Sequence, residues 1–256
     1  MTHFSDGIAT GNAAYGTAAP APGLLGRSNA TRNPQVGVNS SPVQIYRLAV
    51  LATASATNLN AGTTTYSGPA VSIPLSAGTG VTSTTLFGNT VYDIVGQYGE
   101  RGVQVTPAPG NTAASVTIVG YDMNEVPVTA TFSSTASGGS AADSNKTFRY
   151  ILSAAVNGNT TSSIQLGVSD VVGFPIRINS QSDFIATMSG TVVTINGTGF
   201  TAADATVPAT ALTNNVRGSY KLQTATNAAN VLTMWLYPVD INTTSGAYGV
   251  NQFPGN

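Results

Sequence analysis

The chain offers few residue types that could do chemistry. Its single histidine, His3, stands near the start of the sequence, and there is no cysteine. A serine–histidine–aspartate triad in the core and a multi-histidine zinc site are therefore excluded. The lack of cysteine also excludes disulfides and cysteine-ligated metals. We interpret His3 as a solvated residue of the N-terminal segment.

Acidic residues are the next candidates. Asp122 and Glu125 flank a predicted turn in GYDMNEVP. With Asn124 they could form an acid/base pair or a calcium corner, but the spacing matches no calcium-loop template. We favour an Asx-type turn between two strands, with solvated charges. The remaining aspartates considered, Asp170, Asp183 and Asp204, are scattered in other predicted turns.

Three further patterns resemble functional motifs only superficially. YGERG (98–102) is expected to be a polar turn. The fragments GTGVTS and GTGFTA match no phosphate-loop spacing and precede no predicted helix. Glycosylation sequons, for example at Asn29, Asn159 and Asn242, are expected by chance in a chain this rich in Asn, Ser and Thr. The sequence thus predicts no enzyme activity, no metal and no cofactor.

Charge is scarce, and this bears on partners. Only 7% of the 256 residues are Asp, Glu, Lys or Arg, and the net charge is −1. Soluble domains average about 25%. The nine basic residues form no cluster, so we expect no nucleic-acid binding. A surface with so little charge neither repels its own copies nor costs much to desolvate, which favours packing against neighbours.

Membrane insertion and export are also not predicted. No run approaches 18 apolar residues. The start, MTHFSDGIATGNAAYG, lacks the basic and apolar regions of a secretory signal. We expect synthesis in a cytoplasm, without export by the general pathway.

The elements that position these residues are predicted to be strands. Short β-like runs alternate with Gly, Asn, Ser and Thr clusters from residue 42 to about 240, and no window has a capped helical period. We predict one all-β domain over 42–240, a β-sandwich built as a jelly roll with extra strands. The predicted strands are 43–51, 70–75, 85–95, 102–106, 114–122, 126–132, 147–156, 163–168, 174–179, 183–188, 190–195, 216–223 and 231–237, and SATNLNAGTTT is predicted to be turn.

The two ends are predicted to lie outside this domain. Residues 1–41 are rich in Gly, Ala, Asn and Pro, which predicts an extended N-terminal arm, and 241–256 form a C-terminal tail. Ordering about 40 residues takes on the order of 1,600 Å² of apolar burial to offset the lost entropy. So polar an arm is not expected to find that much apolar contact on its own domain, and we therefore expect it to bind partner chains. Arg27 and Arg32 would dock on an acidic partner surface or stay solvated.

The stretch 214–240 predicts a hairpin in which VRGSYKLQ and VLTMWLY flank a polar loop, 224–230. Its closing strand is apolar on both faces. Leu232, Met234 and Leu236 are predicted to face the core. Val231, Trp235 and Tyr237 would face a second apolar layer, either an opposing sheet or loop of the same chain, or a neighbouring subunit. In the second case Trp235 and Tyr237 would be the anchors.

Two segments, IQLGVSDVVGFPIRIN (164–179) and NNVRGSYKLQTATNAANVLTMWLYP (214–238), resemble structural proteins of tailed bacteriophages. Some of these are jelly-roll cement or decoration proteins on the outside of the shell. The resemblance implies a virion protein on the capsid exterior that binds the major capsid protein and copies of itself and cements neighbouring capsomers. It implies no catalytic residues.

Three alternatives stay open. A jelly-roll major or minor capsid protein would usually carry basic residues toward the genome. A tail or adhesin module that binds host carbohydrate would usually show repeats or a coiled coil. A β-sandwich glycan hydrolase would need two carboxylates facing a cleft.

Overall fold

A computed structural model describes residues 44–48, 51–62, 65–107, 114–133, 142–160, 163–189, 191–192, 199–204, 215–223 and 225–236. The predicted arm (1–41) and tail (241–256) lie outside these ranges. The described residues are all-β, as the sequence predicts, with one short 3₁₀ turn at Gln181–Asp183 and no α-helix. Among them, no helix has the length and apolarity needed to cross a membrane.

Sixteen strands are described. They are β1 (Gln44–Leu48), β2 (Ser55–Asn60), β3 (Val71–Ser72), β4 (Thr82–Leu86), β5 (Asn89–Asp93), β6 (Arg101–Pro107), β7 (Ser115–Tyr121), β8 (Pro127–Ser133), β9 (Ala142–Phe148), β10 (Tyr150–Asn157), β11 (Ile164–Gly173), β12 (Phe184–Met188), β13 (Thr191–Val192), β14 (Phe200–Thr201), β15 (Ser219–Lys221) and β16 (Leu232–Leu236).

These strands form three antiparallel sheets that make a β-sandwich. Sheet A has the order β9-β6-β11-β15-β14, with β2 also paired to β11. Sheet B has the order β4-β5-β10-β7-β8, with β3 also paired to β10. Sheet C has the order β13-β12-β16-β1. The jelly-roll connectivity stays a prediction.

Period-two alternation explains why these runs become half-buried strands. Along β7 buried and half-buried residues alternate from Ser115 to Tyr121, so that Val116 and Ile118 point inward while Thr117 does not. Such inward residues from all three sheets form one hydrophobic cluster that extends from Tyr46 to Leu236. Burial of this cluster supplies the main stabilising free energy of the fold.

Several predicted boundaries are wrong. SATNLN, predicted as turn, is strand β2. The predicted strand 85–95 is a hairpin, because Phe87 and Gly88 both have positive φ and reverse the chain. The predicted strand 147–156 breaks at Arg149, where the chain passes from sheet A to sheet B. The segment 174–179, also predicted as a strand, forms none.

The hairpin predicted over 214–240 is also wrong. Its first run contributes β15, which pairs with β11 and β14 in sheet A. Its second run is β16, which pairs with β12 and β1 in sheet C. The two runs therefore lie in different sheets and do not pair with each other. The intervening loop is not wholly solvated either, since Thr226 is buried.

Candidate functional site

Five residues were predicted to contact other subunits. Trp235 and Val231 are described, and both are half-buried. Tyr237, Arg27 and Arg32 lie outside the described residues.

The inward face of β16 agrees with the prediction. Leu232, Met234 and Leu236 are fully buried and belong to the hydrophobic cluster. Because side chains alternate along a strand, Thr233 and Trp235 project from the opposite face of sheet C.

Strand register places the half-buried Trp235 in a row between two exposed isoleucines. It lies opposite Ile45 of β1 on one side and Ile185 of β12 on the other. Ile45 is 67% exposed and Ile185 is 38% exposed. We call Ile45, Trp235 and Ile185 the apolar row. Trp235 itself is half-buried, and which of the two predicted layers lies against it stays a prediction.

No protein-family model, curated protein or solved structure matches this chain. The candidate site therefore rests on geometry and chemistry alone.

The apolar row lies beside the points where both chain ends join the sheet. Gln44 pairs with Leu236, so β1 begins where β16 ends. The 43 residues before Gln44 and the 20 residues after Leu236 are thus attached at neighbouring positions. Ile45 and Trp235 are the next residues inward from this end. A partner held by either segment would be brought close to the row.

A second feature is a buried cluster of charges, which we call the arginine–carboxylate cluster. The Arg217 guanidinium donates from Nη2 to Glu100 Oε2 and to Asp122 Oδ2, the latter at 3.0 Å. Glu100 is 0% exposed and Asp122 is 1% exposed. Both carboxylates are therefore closed off from solvent with a cation between them. Buried charges persist in proteins when they are paired and hydrogen-bonded in this way.

Neighbouring polar groups complete the shell around Glu100. Its Oε1 accepts from the Thr147 hydroxyl at 2.5 Å and from Asn215 Nδ2 at 3.2 Å. Its Oε2 also accepts from the Met123 amide at 3.2 Å. Gly173 leaves the necessary room, because a Cβ there would lie 2.7 Å from Glu100 Oε1. The cluster joins segments of sheets A and B into one rigid unit.

Two turn predictions are corrected by this cluster. YGERG is not a polar turn, since both Glu100 and Arg101 are buried. The Asx-type turn at Asp122 is confirmed, because Asp122 Oδ1 accepts from the Asn124 and Val126 amides at 2.8 and 2.9 Å. Its predicted solvation is wrong, although Glu125 is exposed as expected. Arg217, in the predicted strand 216–223, is also buried.

Arg101, the first residue of β6, forms a separate set of buried contacts. Its guanidinium donates to the Ala52 and Ser169 carbonyls, both at 2.6 Å, and to Thr226 Oγ1 at 3.2 Å. Asp170 Oδ1 lies 3.7 Å away. Burial lowers the pKa of Arg101 to about 10, and Asp170 partly opposes that shift. The side chain remains a cation at neutral pH and ties β11 and the loops at Ala52 and Thr226 to β6.

These charges do not form a metal site. Among the described residues, no group of three or more His, Cys, Asp or Glu side chains is arranged to hold a metal ion. The Glu100 and Asp122 carboxylates have Arg217 as their cation instead.

Glu100 makes the stability dependent on pH. Burial raises the pKa of its carboxyl above the ordinary value of 4.5; Arg217 opposes this shift and Asp122 reinforces it. Above pH 4.5 the unfolded state loses the Glu100 proton while the native state still holds it, so a rise in pH favours unfolding until the native pKa is passed. Relative to Glu100→Gln, the wild type should lose up to about 1.4 kcal/mol of unfolding free energy per pH unit.

Urea unfolding of both proteins from pH 4 to 8 measures this difference. A difference that stays constant, or that rises with pH, would contradict the raised pKa. Comparison with the variant removes the contribution of the other acidic groups, which titrate in both proteins.

Proposed function

We propose that this chain is a virion structural protein that binds the outside of an icosahedral capsid and cements neighbouring capsomers. The observation that carries the proposal is the apolar row on an almost uncharged β-sandwich. Large exposed apolar side chains in one row of a sheet are typical of protein contact surfaces. The partners would be the major capsid protein and other copies of this chain.

The attachment of both chain ends beside the row supports the same role. A segment of 43 residues can reach on the order of 140 Å when extended. A body held by the row and by such a segment has two attachment points, so weak individual contacts add up to firm binding on a repeating shell. Rigidity of the body, supported by the buried clusters, would help it to resist outward pressure.

A structural role is preferred to glycan hydrolysis. In the part of the chain that is described, Glu100 and Asp122 lie together, buried around Arg217. A glycosidase needs its acid pair to flank a bond of the bound sugar. A substrate would have to displace Arg217 to reach them.

Electron cryo-microscopy tests the proposal directly. Purified protein is mixed with shells of the same virus that lack it, and the particles are imaged. Density at fixed sites on the outer surface is the expected result. Density inside the shell, or none, would contradict the proposal.

The apolar row also makes a mutational prediction. Trp235→Ala should weaken shell binding by about tenfold or more, since a central aromatic anchor often supplies 2 kcal/mol or more of binding. Its unfolding free energy should fall by less than about 1.5 kcal/mol, because the side chain is only half-buried in the monomer. Cosedimentation with shells and urea unfolding give the two quantities.

Leu236→Ala is the matched control from the inward face of the same strand. Leu236 is fully buried, so the loss of stability should be about 2–5 kcal/mol. Trp235→Ala protein that unfolds as readily as Leu236→Ala would indicate a core role for Trp235 and remove the basis of the proposed surface.

A further inference from the structure

The β4 edge of sheet B is an unprotected strand edge. Among the described residues β4 pairs only with β5, in a regular five-residue register without a bulge. The residues flanking the two-residue turn, Leu86 and Asn89, form a hydrogen-bonded pair, so the backbone groups of Ser83 and Thr85 point away from β5. Thr82 to Thr85 are all exposed. The edge therefore offers backbone donors and acceptors to an added strand.

The other described edge strands carry features that block such pairing. Strand β1 has the exposed Arg47, β8 begins at Pro127, β2 and β9 have irregular registers, and β3, β13 and β14 have two residues each. Natural sheets use charges, prolines, bulges and short strands to prevent unwanted edge pairing. Strand β4 has none of these, and from Thr82 to Tyr92 the sequence contains no charged residue.

The turn that ends β4 adds an apolar anchor. Phe87 and Gly88 form a two-residue turn with φ values of 50° and 79°. Asn or Gly is favoured at the first position, whereas a bulky residue there is strained. Phe87 is nevertheless 65% exposed, with its ring edge-on to Tyr121 at 5.6 Å. Phe87 thus stabilises neither the turn nor the core. A strained backbone at an exposed aromatic residue indicates that the side chain contacts a partner.

We infer that β4 and Phe87 form a docking site for the N-terminal segment of a second copy of this chain. Charge and length together select this occupant: a neutral edge cannot compensate charges that a partner would bury, and the likewise uncharged segment 241–256 has fewer than half as many residues as the segment before β1. Residues 1–26 contain one charged residue, Asp6, and are therefore complementary to the edge. The 43 residues before β1 can span on the order of 140 Å, about three times the diameter of a compact body of this size. The segment can therefore reach a neighbouring copy.

This inference rests on the part of the proposed function in which copies contact one another, and it does not involve the shell protein. The probe is a fluorescently labelled peptide of residues 1–41, titrated into the full-length protein and followed by anisotropy. The wild type is expected to bind it. Phe87→Asn and Thr84→Lys should each weaken binding by at least about tenfold, the first by removing the anchor and the second by placing a charge on the edge.

Thr131→Lys is the matched control, because Thr131 is an exposed threonine on β8, the opposite edge strand of the same sheet. It should bind the peptide as the wild type does. Phe87→Asn should fold at least as stably as the wild type, since Asn suits this turn, so its loss of binding cannot be assigned to unfolding. Thermal unfolding checks this for each variant.

Absence of peptide binding to the wild type would overturn the inference. An N-terminal segment that occupies the β4 edge of its own molecule, and so blocks the peptide, would overturn it as well. Equal binding by the wild type and Thr84→Lys would place the site elsewhere. If the peptide binds as expected but no shell is decorated, this inference stands and the proposed function fails. If shells are decorated but no peptide binds, the proposed function stands and this inference fails.

Discussion

Arg217→Met is expected to lower the free energy of unfolding by about 3–5 kcal/mol. Arg217 is the cation between two carboxylates that are almost completely buried, so its removal leaves Glu100 and Asp122 facing each other without compensation. Domains of this kind have a total stability of about 5–15 kcal/mol, so the loss is a large fraction of the whole. Urea unfolding followed by tryptophan fluorescence measures it, since Trp235 is the single tryptophan of the chain.

Two further variants separate charge from packing. Adding Glu100→Gln and Asp122→Asn to Arg217→Met removes the uncompensated charges and should restore part of the lost stability, because the cost of breaking a buried ion pair comes mainly from the charge left without a partner. Arg47→Met removes an exposed arginine and should change stability by no more than about 0.5 kcal/mol. If the triple variant is as unstable as Arg217→Met, packing around the guanidinium is the cause instead.

The sequence predicts the all-β class and many strand positions because both depend on local pattern. The period-two alternation in 114–122 and in VLTMWLY predicts which side chains point inward. The burial of Val116, Leu232 and Met234 agrees with that prediction. Turn chemistry is a weaker signal. Phe87-Gly88 lacks the Asn-Gly that usually marks a two-residue turn, so the hairpin at this point was missed.

Long-range pairing explains the other errors. Arg217 meets Glu100 across 117 positions and Asp122 across 95, and no local spacing indicates such contacts. The neighbours Glu100 and Arg101 both enter the interior, where sequence reasoning expects a solvated turn. The apolar row could not be predicted from the sequence for the same reason. Trp235 could be assigned to the outward face by alternation, but its alignment with Ile45 and Ile185 requires the register of three strands.

The close approach of β2 to β11 gives the second large expected effect. Gly167 lies where the β2 backbone crosses β11, between the paired residues Leu166 and Val168. A Cβ on Gly167 would collide with the Ser55 carbonyl oxygen and lie 2.6 Å from the Ala56 carbonyl carbon. Both obstacles are backbone atoms, so they cannot turn away as a flexible side chain would. Gly167→Ala should therefore displace β2 and destabilise the fold by about 3 kcal/mol.

Gly96→Ala is the control that separates lack of space from backbone conformation. Gly96 has a φ of 73°, yet a Cβ there would meet no atom within 4 Å, so the expected loss is about 1 kcal/mol. Hydrogen exchange adds a local measurement, because the Val168 amide donates to Asn58 Oδ1 at 2.9 Å and should lose its protection in Gly167→Ala when β2 moves away. Equal losses in the two variants would mean that β2 can shift without cost, and that its contact with β11 contributes little to the stability of sheet A.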